Sequence, residues 1–532
     1  LAASFLLAGR PCPAIAGLDE YVKQADSAFA WTKVGSQVTP GGTITTLALT
    51  SQIWQGITWK HELSVYEPRE LTYADAMLMF ITRGDHKSKQ SDNDHKQAFM
   101  LAQLSGARVA VLRQVPNQPL LDGKTEDELI AETFVRYLQT KDENWPLLFP
   151  MAKSAVKAMD ALQAFARETG KPVTRFVVTG GSKRGWTTWL TGAVDDRVVA
   201  IAPMVIVILN LGQQGPNQLK VWGKYSEQID DYVQRGLMEK TATPAGTKLW
   251  KMVDPFTYRD RLATKPVLLI NGANDRYWTL DALDLYWNDL DGPKYLTEVP
   301  NAGHGLEEHR DWMLGGLGAF VRHVVSNRPM PRIKWGLARG AGGESTLTIH
   351  AKPAPISARI WMARTGYDLL LSPTVRDESE MPATGKDLII VAAIDNVLHF
   401  RMFDEDGKRV VDTDERKLTT QSRKIAELRT RLVSLGPARP LTESEKSQIT
   451  TAVTAILDRS PRPEHRDFRE SRWEPAPLKV GETIALSIPK VSSGHLAVFG
   501  ELEYQIDGIP YHLTTTFLEP MRPPAEAGAA RP

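Results

Sequence analysis

Cysteine is nearly absent: Cys12 stands alone among 532 residues, which excludes a disulfide framework and any zinc site built on thiolates. Neither sign of charge dominates. Lys plus Arg number 64 against 63 Asp plus Glu, a formal charge of +1, so no global field gathers nucleic acid or an anionic membrane. Long apolar runs are missing too, since the longest beyond the N-terminus, Val198 to Leu211, has the length of a buried segment and falls short of a bilayer span. Internal repeats, a dinucleotide fingerprint and a P-loop are also lacking. What remains is an ordinary globular composition, 42% hydrophobic and 24% charged with 39 Gly and 34 Pro, long enough for two or three domains. Binding must come from a local site.

The chain opens with the apolar run Leu1 to Gly9 and reaches Ala14-Ile15-Ala16, a small-x-small pattern ahead of Gly17. Residues 1–16 therefore read as the remnant of a secretory signal peptide, and the expected location is periplasmic or secreted. Cleavage after Ala16 removes Cys12 and leaves a cysteine-free protein suited to an oxidising compartment. Arg10 and Pro11 before Cys12 argue against a lipoprotein.

From 43 to 327, strand-like runs alternate with helical ones, the pattern of an α/β sheet covered on both faces. Residues 45–54 and 56–66 alternate apolar and polar side chains as an antiparallel pair, and 77–81, 109–112, 176–179, 198–203, 267–270 and 295–299 supply six buried strands, eight in all. Met151, Ala155, Met159, Leu162 and Phe165 mark one apolar helix stripe, and Trp312, Leu314, Leu317, Phe320 and Val324 another. Residues 204–264 are too long for a connection and read as an inserted lid. The α/β-hydrolase-like domain so defined spans 17–332. A β-rich, sandwich-like domain follows at 333–519, interrupted by an α+β insertion at about 373–462, and 520–532 form a Pro/Ala-rich tail.

The sharpest motif is Gly180-Gly-Ser182-Lys-Arg-Gly185 between a buried strand and a helix, which matches a nucleophile elbow. It departs from G-x-S-x-G in carrying Arg184 where a small residue is preferred, with Gly185 one place late. A serine nucleophile needs a base and an acid to orient that base, in the chain order Ser, Asp, His. Asp275 follows the strand at 266–270, and His304 follows the strand at 295–299. Asp254, Asp260 and Asp281 are rival acids, while His309 reads as a surface residue one turn into the next helix.

The backbone N–H of Lys183 and a donor from the loop Thr82-Arg83-Gly84 are the expected oxyanion-hole groups. The side chains of Lys183 and Arg83 either add positive charge or are simply solvated. Trp186, Trp222, Tyr277 and Trp278 are candidate substrate contacts, against the blander reading that they pack the lid. Asp85-His86 and Asp92-Asn-Asp94-His95 fit no metal spacing, and Asp404-Glu-Asp-Gly407 lacks the remaining ligands of a calcium loop, so no metal and no cofactor are expected.

Several stretches are also familiar together: Leu49-Thr-Ser-Gln-Ile-Trp54, Phe149 to Asp160, the elbow Gly180 to Thr187, Val253-Asp-Pro-Phe-Thr-Tyr258 and Pro300-Asn-Ala-Gly-His-Gly305. They resemble the PhoPQ-activated pathogenicity-related protein family over about 20–335, with a weaker return at Arg466-Asp-Phe-Arg469 and Trp473. The resemblance implies an exported α/β-hydrolase-like protein with a C-terminal β domain, in a family whose substrate is not established. The insertion is additional to the family pattern. The elbow is also similar to that of glucuronoyl esterases, where a basic residue follows the serine, which implies a uronic-acid ester as a second possible substrate. The expected partner is a small-molecule, glycan or peptide substrate, and the β domain is a place for a protein or glycan. A non-catalytic binding or signalling protein on the same scaffold is the reading from a different class.

Overall fold

The computed structural model describes residues 17–85, 87–88, 90–340, 344–364, 368–371, 388–394, 397–403, 409–414, 418, 422–434, 442–456, 466–469, 471–488 and 495–519. The expected signal peptide with Cys12, His86, the turn at 404–407 and the tail at 520–532 lie outside the described residues.

Nine strands form the main sheet: β1 (Ala30–Thr39), β2 (Gly42–Trp54), β3 (Ile57–Pro68), β4 (Ala76–Ile81), β5 (Arg108–Leu112), β6 (Arg175–Gly181), β7 (Val198–Met204), β8 (Val267–Gly272) and β9 (Lys294–Val299). Their order is β1-β2-β3-β5-β4-β6-β7-β8-β9. The first three run antiparallel, β3 meets β5 antiparallel, and the remaining six are parallel. The sequence predicts eight strands, and β1 is the ninth. It pairs only with β2 at the edge and is exposed along almost its whole length, so it carries no apolar stripe to announce it. The parallel strands, covered on both faces, are near-continuous apolar runs.

Helices α1 (Gly17–Lys23), α2 (Asp92–Ser105), α3 (Glu126–Thr140), α4 (Leu148–Glu168) and α5 (Lys183–Val194) cover the sheet. The excursion between β7 and β8 holds α6 (Leu211–Trp222), α7 (Asp230–Val233), α8 (Pro244–Val253) and α9 (Arg259–Leu262), and α10 (Arg310–Val325) follows β9. One core joins α1, α3, α4, α5 and the lid to one sheet face, and a second joins α2 and α10 to the other.

The C-terminal part is antiparallel. Strands β10 (Arg332–Arg339), β11 (Ser345–Lys352) and β12 (Ser357–Arg364) are followed by β13 (Asp368–Leu371), β14 (Leu388–Ile394), β15 (Val397–Phe403) and β16 (Arg409–Asp414), with β13 parallel to β14. Then come α11 (Ser422–Ser434), α12 (Glu443–Ile456), β17 (Glu474–Pro477), β18 (Thr483–Ile488), β19 (Leu496–Ile506) and β20 (Ile509–Thr514). Two sheets, β10-β11-β18 and β17-β12-β19-β20, form the β-rich region, while β13-β14-β15-β16 are a third sheet that begins at Asp368, ahead of the expected edge near 373. The sequence predicts a separate β domain, whereas its core is continuous with the α2/α10 face of the main sheet. Trp312 stacks on His512 at 3.9 Å, and Thr297 Oγ1 donates to the His512 carbonyl at 2.7 Å, so β20 is locked to α10 and β9.

Candidate active site

Ser182 sits between β6 and α5 with φ 57° and ψ −125°, a conformation that side-chain-bearing residues rarely adopt. Its N–H bonds to the Met204 carbonyl at 2.9 Å and its carbonyl accepts from Trp186 N–H at 2.9 Å, so the turn is held from both sides. The late glycine has a physical reason. A Cβ on Gly180 would stand 2.7 Å from the Arg184 carbonyl oxygen, and one on Gly185 would stand 2.5 Å from Ile206 Cγ2 and 2.9 Å from the Gly180 oxygen. The close approach of strand to helix thus falls on Gly180 and Gly185.

Asp275 lies in the loop after β8 and His304 in the loop after β9. His304 Nε2 is 2.8 Å from Ser182 Oγ, and His304 Nδ1 is 2.7 Å from Asp275 Oδ2. Asp275 is buried and its Oδ1 accepts from the Tyr277 N–H at 2.9 Å, while His304 keeps 28% of its side-chain surface open. The Tyr277 ring packs on the imidazole at 4.3 Å between centroids. A hydroxyl, an imidazole and a buried carboxylate in one hydrogen-bonded line can move a proton from the hydroxyl and hold the cation that forms.

The rival residues lie elsewhere. Asp254 accepts from Leu211 and Phe256 N–H groups at the base of the lid, where burial pushes its carboxyl up to about 6. Asp260 pairs only with Arg259, at 3.9 Å. Asp281 is buried against Asn217 and Arg466. His309 is exposed and immediately precedes α10 instead of lying one turn within it.

The two basic residues after the serine are neither solvated nor aimed at it. Arg184 is buried, donating to the Val115 carbonyl at 2.5 Å and, in a two-pronged pair, to Glu126 at 2.6 and 2.7 Å. That pair lowers the Glu126 carboxyl to about 2 despite its burial. Lys183 Nζ lies 2.7 Å from Asp127 and 3.5 Å from Glu126, and Asp127 also accepts from the hydroxyls of Tyr232 and Tyr277. The Lys183 N–H occupies the first turn of α5, where no intrahelical acceptor exists.

Two spaces meet at Ser182 and His304. Beneath the lid is a small cavity of about 90 Å³, walled by Trp186, Trp250, Trp278, Tyr277, Ile206 and Met238 among others. On the other side is an open groove of about 690 Å³ that includes Thr82, Arg83, Gly84, Arg310 and Glu307. Trp186, Tyr277 and Trp278 thus border the cavity. Trp222 does not: it is buried under the Arg469 guanidinium, 4.2 Å away, and packs the lid against the C-terminal region. Among the described residues no cluster of three His, Cys, Asp or Glu could hold a metal ion. Asp94 caps α2 through Ser91, and His95 Nδ1 bonds to the Tyr66 hydroxyl at 2.7 Å.

Sequence reasoning missed the brace behind these loops. Asn274 Nδ2 donates to the carbonyls of Phe468, Arg469 and Ser471, the last at 2.7 Å. Asn301 Nδ2 donates to the Trp473 carbonyl at 2.9 Å while its Oδ1 accepts from the Trp473 N–H at 2.7 Å. Phe468, Arg469, Ser471 and Trp473 therefore tie the Asp275 loop to the His304 loop, and the only signal for this is the Arg466-Asp-Phe-Arg469 and Trp473 resemblance.

The PhoPQ-activated pathogenicity-related protein family matches residues 18–369. Autocrine proliferation repressor protein A of Dictyostelium discoideum is 34% identical over 366 residues, 65% of this chain and 74% of that protein. Solved structures with a similar fold include an acetyl xylan esterase from Paenibacillus sp. R4, at 12% identity and TM-score 0.39, covering 57% of this chain and 91% of that one. A glucuronoyl esterase from Solibacter usitatus is 13% identical with TM-score 0.34, covering 57% of this chain and 88% of that one.

Proposed function

This chain belongs to the PhoPQ-activated pathogenicity-related protein family, and from that premise we propose that it is a serine hydrolase acting on an ester or amide. Ser182 Oγ attacks the carbonyl carbon, His304 takes the proton and hands it to the leaving group, Asp275 orients the imidazole, and water releases the acyl enzyme. The N–H of Lys183 and one from Arg83 or Gly84 receive the developing oxyanion, each worth about 3–4 kcal/mol in the transition state. The observation that carries this reading is the line of two short hydrogen bonds, 2.8 and 2.7 Å, joining three loops that follow β6, β8 and β9. We read 17–332 as the catalytic unit with 204–264 as its lid and 333–519 as the β-rich unit, and the N-terminal pattern favours export to the periplasm or beyond.

The test is turnover of short-chain nitrophenyl esters. Loss of turnover in His304→Ala supports the reading, and equal turnover in wild type and variant sinks it. The uronic-ester alternative asks the Lys183 ammonium to meet the substrate, but Asp127 and Glu126 already hold that charge. A signalling role without catalysis draws on the name of the Dictyostelium relative. The unusual Arg184 of the elbow adds nothing to that role, because Arg184 is accounted for by its pair with Glu126.

A further inference from the structure

The two spaces that meet at Ser182 differ in kind. The cavity under the lid is small and aromatic, with Asp127 engaged by Lys183 and two tyrosine hydroxyls and Gln218 by the Tyr277 carbonyl and the Ser226 N–H, while the indole N–H groups of Trp250 and Trp278 are buried without a partner. Its volume of about 90 Å³ is below the roughly 150 Å³ that accommodates a benzene ring. It has room for a few carbons and offers them van der Waals contact.

The groove on the other face is open and charged. Five of its lining cations are Arg83, Arg113, Lys183, Arg184 and Arg310. Three of those are spent, Arg113 on Glu62, Lys183 on Asp127 and Arg184 on Glu126. Arg83, on the loop after β4, and Arg310, at the start of α10 just beyond His304, have no ion-pair partner among the described residues. Of the groove's carboxylates, Glu126 is taken by Arg184 and Asp94 by the α2 cap, leaving Glu307 at the rim beside Gly305. Two guanidiniums without ion-pair partners, lining the same groove as the nucleophile, can receive a carboxylate, which guanidinium groups bind by paired N–H···O bonds.

We infer that the substrate joins a short apolar acyl group, held in the cavity, to an alcohol or phenol bearing a carboxylate, held in the groove by Arg83 and Arg310. The inference rests on Ser182 being the nucleophile. In the step, Ser182 Oγ bonds to the acyl carbon and its proton passes to His304 Nε2. The C–O bond to the leaving group then breaks, and the leaving oxygen takes that proton. Water repeats the sequence to free the short acid, so no other reactant is needed.

Two series test it. The first compares kcat/KM for 3-acetoxybenzoate and its neutral counterpart 3-acetoxybenzamide, in wild type and in the Arg83→Ala/Arg310→Ala double variant. The measured quantity is the anion-to-neutral ratio, in which differences in intrinsic rate between enzymes cancel. It should fall at least tenfold in the double variant, mainly through KM for the anion, and should fall in wild type as salt is raised. The second runs nitrophenyl acetate, butyrate and octanoate, where kcat/KM should drop at least tenfold between four and eight carbons. A ratio unmoved by the double variant, or octanoate cleaved as fast as acetate, overturns the inference. Fluorophosphonate labelling separates the two levels: label on Ser182 with no charge preference removes only this inference, and no label on Ser182 removes the reading beneath it.

Discussion

Replacing Glu298 by Gln should change how stability depends on pH, and the size of the change can be worked from its surroundings. Glu298 lies on β9, fully buried, directly behind the Asp275 loop. Its Oε1 accepts one weak bond from Asn271 at 3.3 Å, and its Oε2 has no partner. Burial first, and the nearby Asp275 charge second, push the carboxyl up to about 8 from its ordinary 4.5. The unfolded chain therefore sheds this proton near pH 4.5 while the folded chain keeps it until about pH 8. Its contribution to stability is complete below 4.5, declines as pH rises between the two values and is gone above 8. The full span is worth on the order of 5 kcal/mol at most. Gln has nearly the same shape and does not titrate. Urea unfolding of wild type and Glu298→Gln from pH 5 to pH 9 checks this: the curves should lie close at pH 5, with the variant more stable by a few kcal/mol at pH 9. Parallel curves across the range would refute the reasoning.

Three further outcomes follow from the geometry. Ser182→Gly should abolish turnover yet raise stability by about 1 kcal/mol, because glycine adopts the elbow's backbone conformation without strain; a loss of stability in urea melts would contradict it. Arg184→Ala should cost about 2–4 kcal/mol, discounted because Glu126 keeps a third of its surface in solvent. The pair's contribution should vanish in wild type as pH falls from 4.5 through about 2, which acid denaturation of the two proteins would reveal. Asn301→Ala, which cuts the tie between the His304 loop and Trp473, should lower kcat about tenfold with KM little changed and alter the acid limb of the pH–rate profile; a change in KM alone would place the residue outside the positioning of His304.

The parallel strands were legible because burial on both faces demands apolar runs, and β4, β5 and β8 are such runs. Ser182, Asp275 and His304 stood out because each follows a parallel strand, and the topology brings those strand ends to one edge of the sheet, with β7 between β6 and the neighbouring β8 and β9. What escaped has physical reasons of its own. β1 is a largely exposed strand at a sheet edge, so no buried stripe marks it, and β10 at another edge carries only the half-buried face Ile333, Trp335 and Leu337. The Asn274 and Asn301 ties run from side chain to distant backbone and leave no local pattern. Trp222 shows the converse limit, since an aromatic residue in a lid reads the same whether it faces a ligand or packs beneath an arginine.

Mass spectrometry of the protein after a fluorophosphonate probe reaches the central claim most directly. The account predicts one label per chain on the peptide containing Ser182, abolished in Ser182→Ala and slowed a hundredfold or more in His304→Ala. Equal labelling of wild type and Ser182→Ala would contradict it.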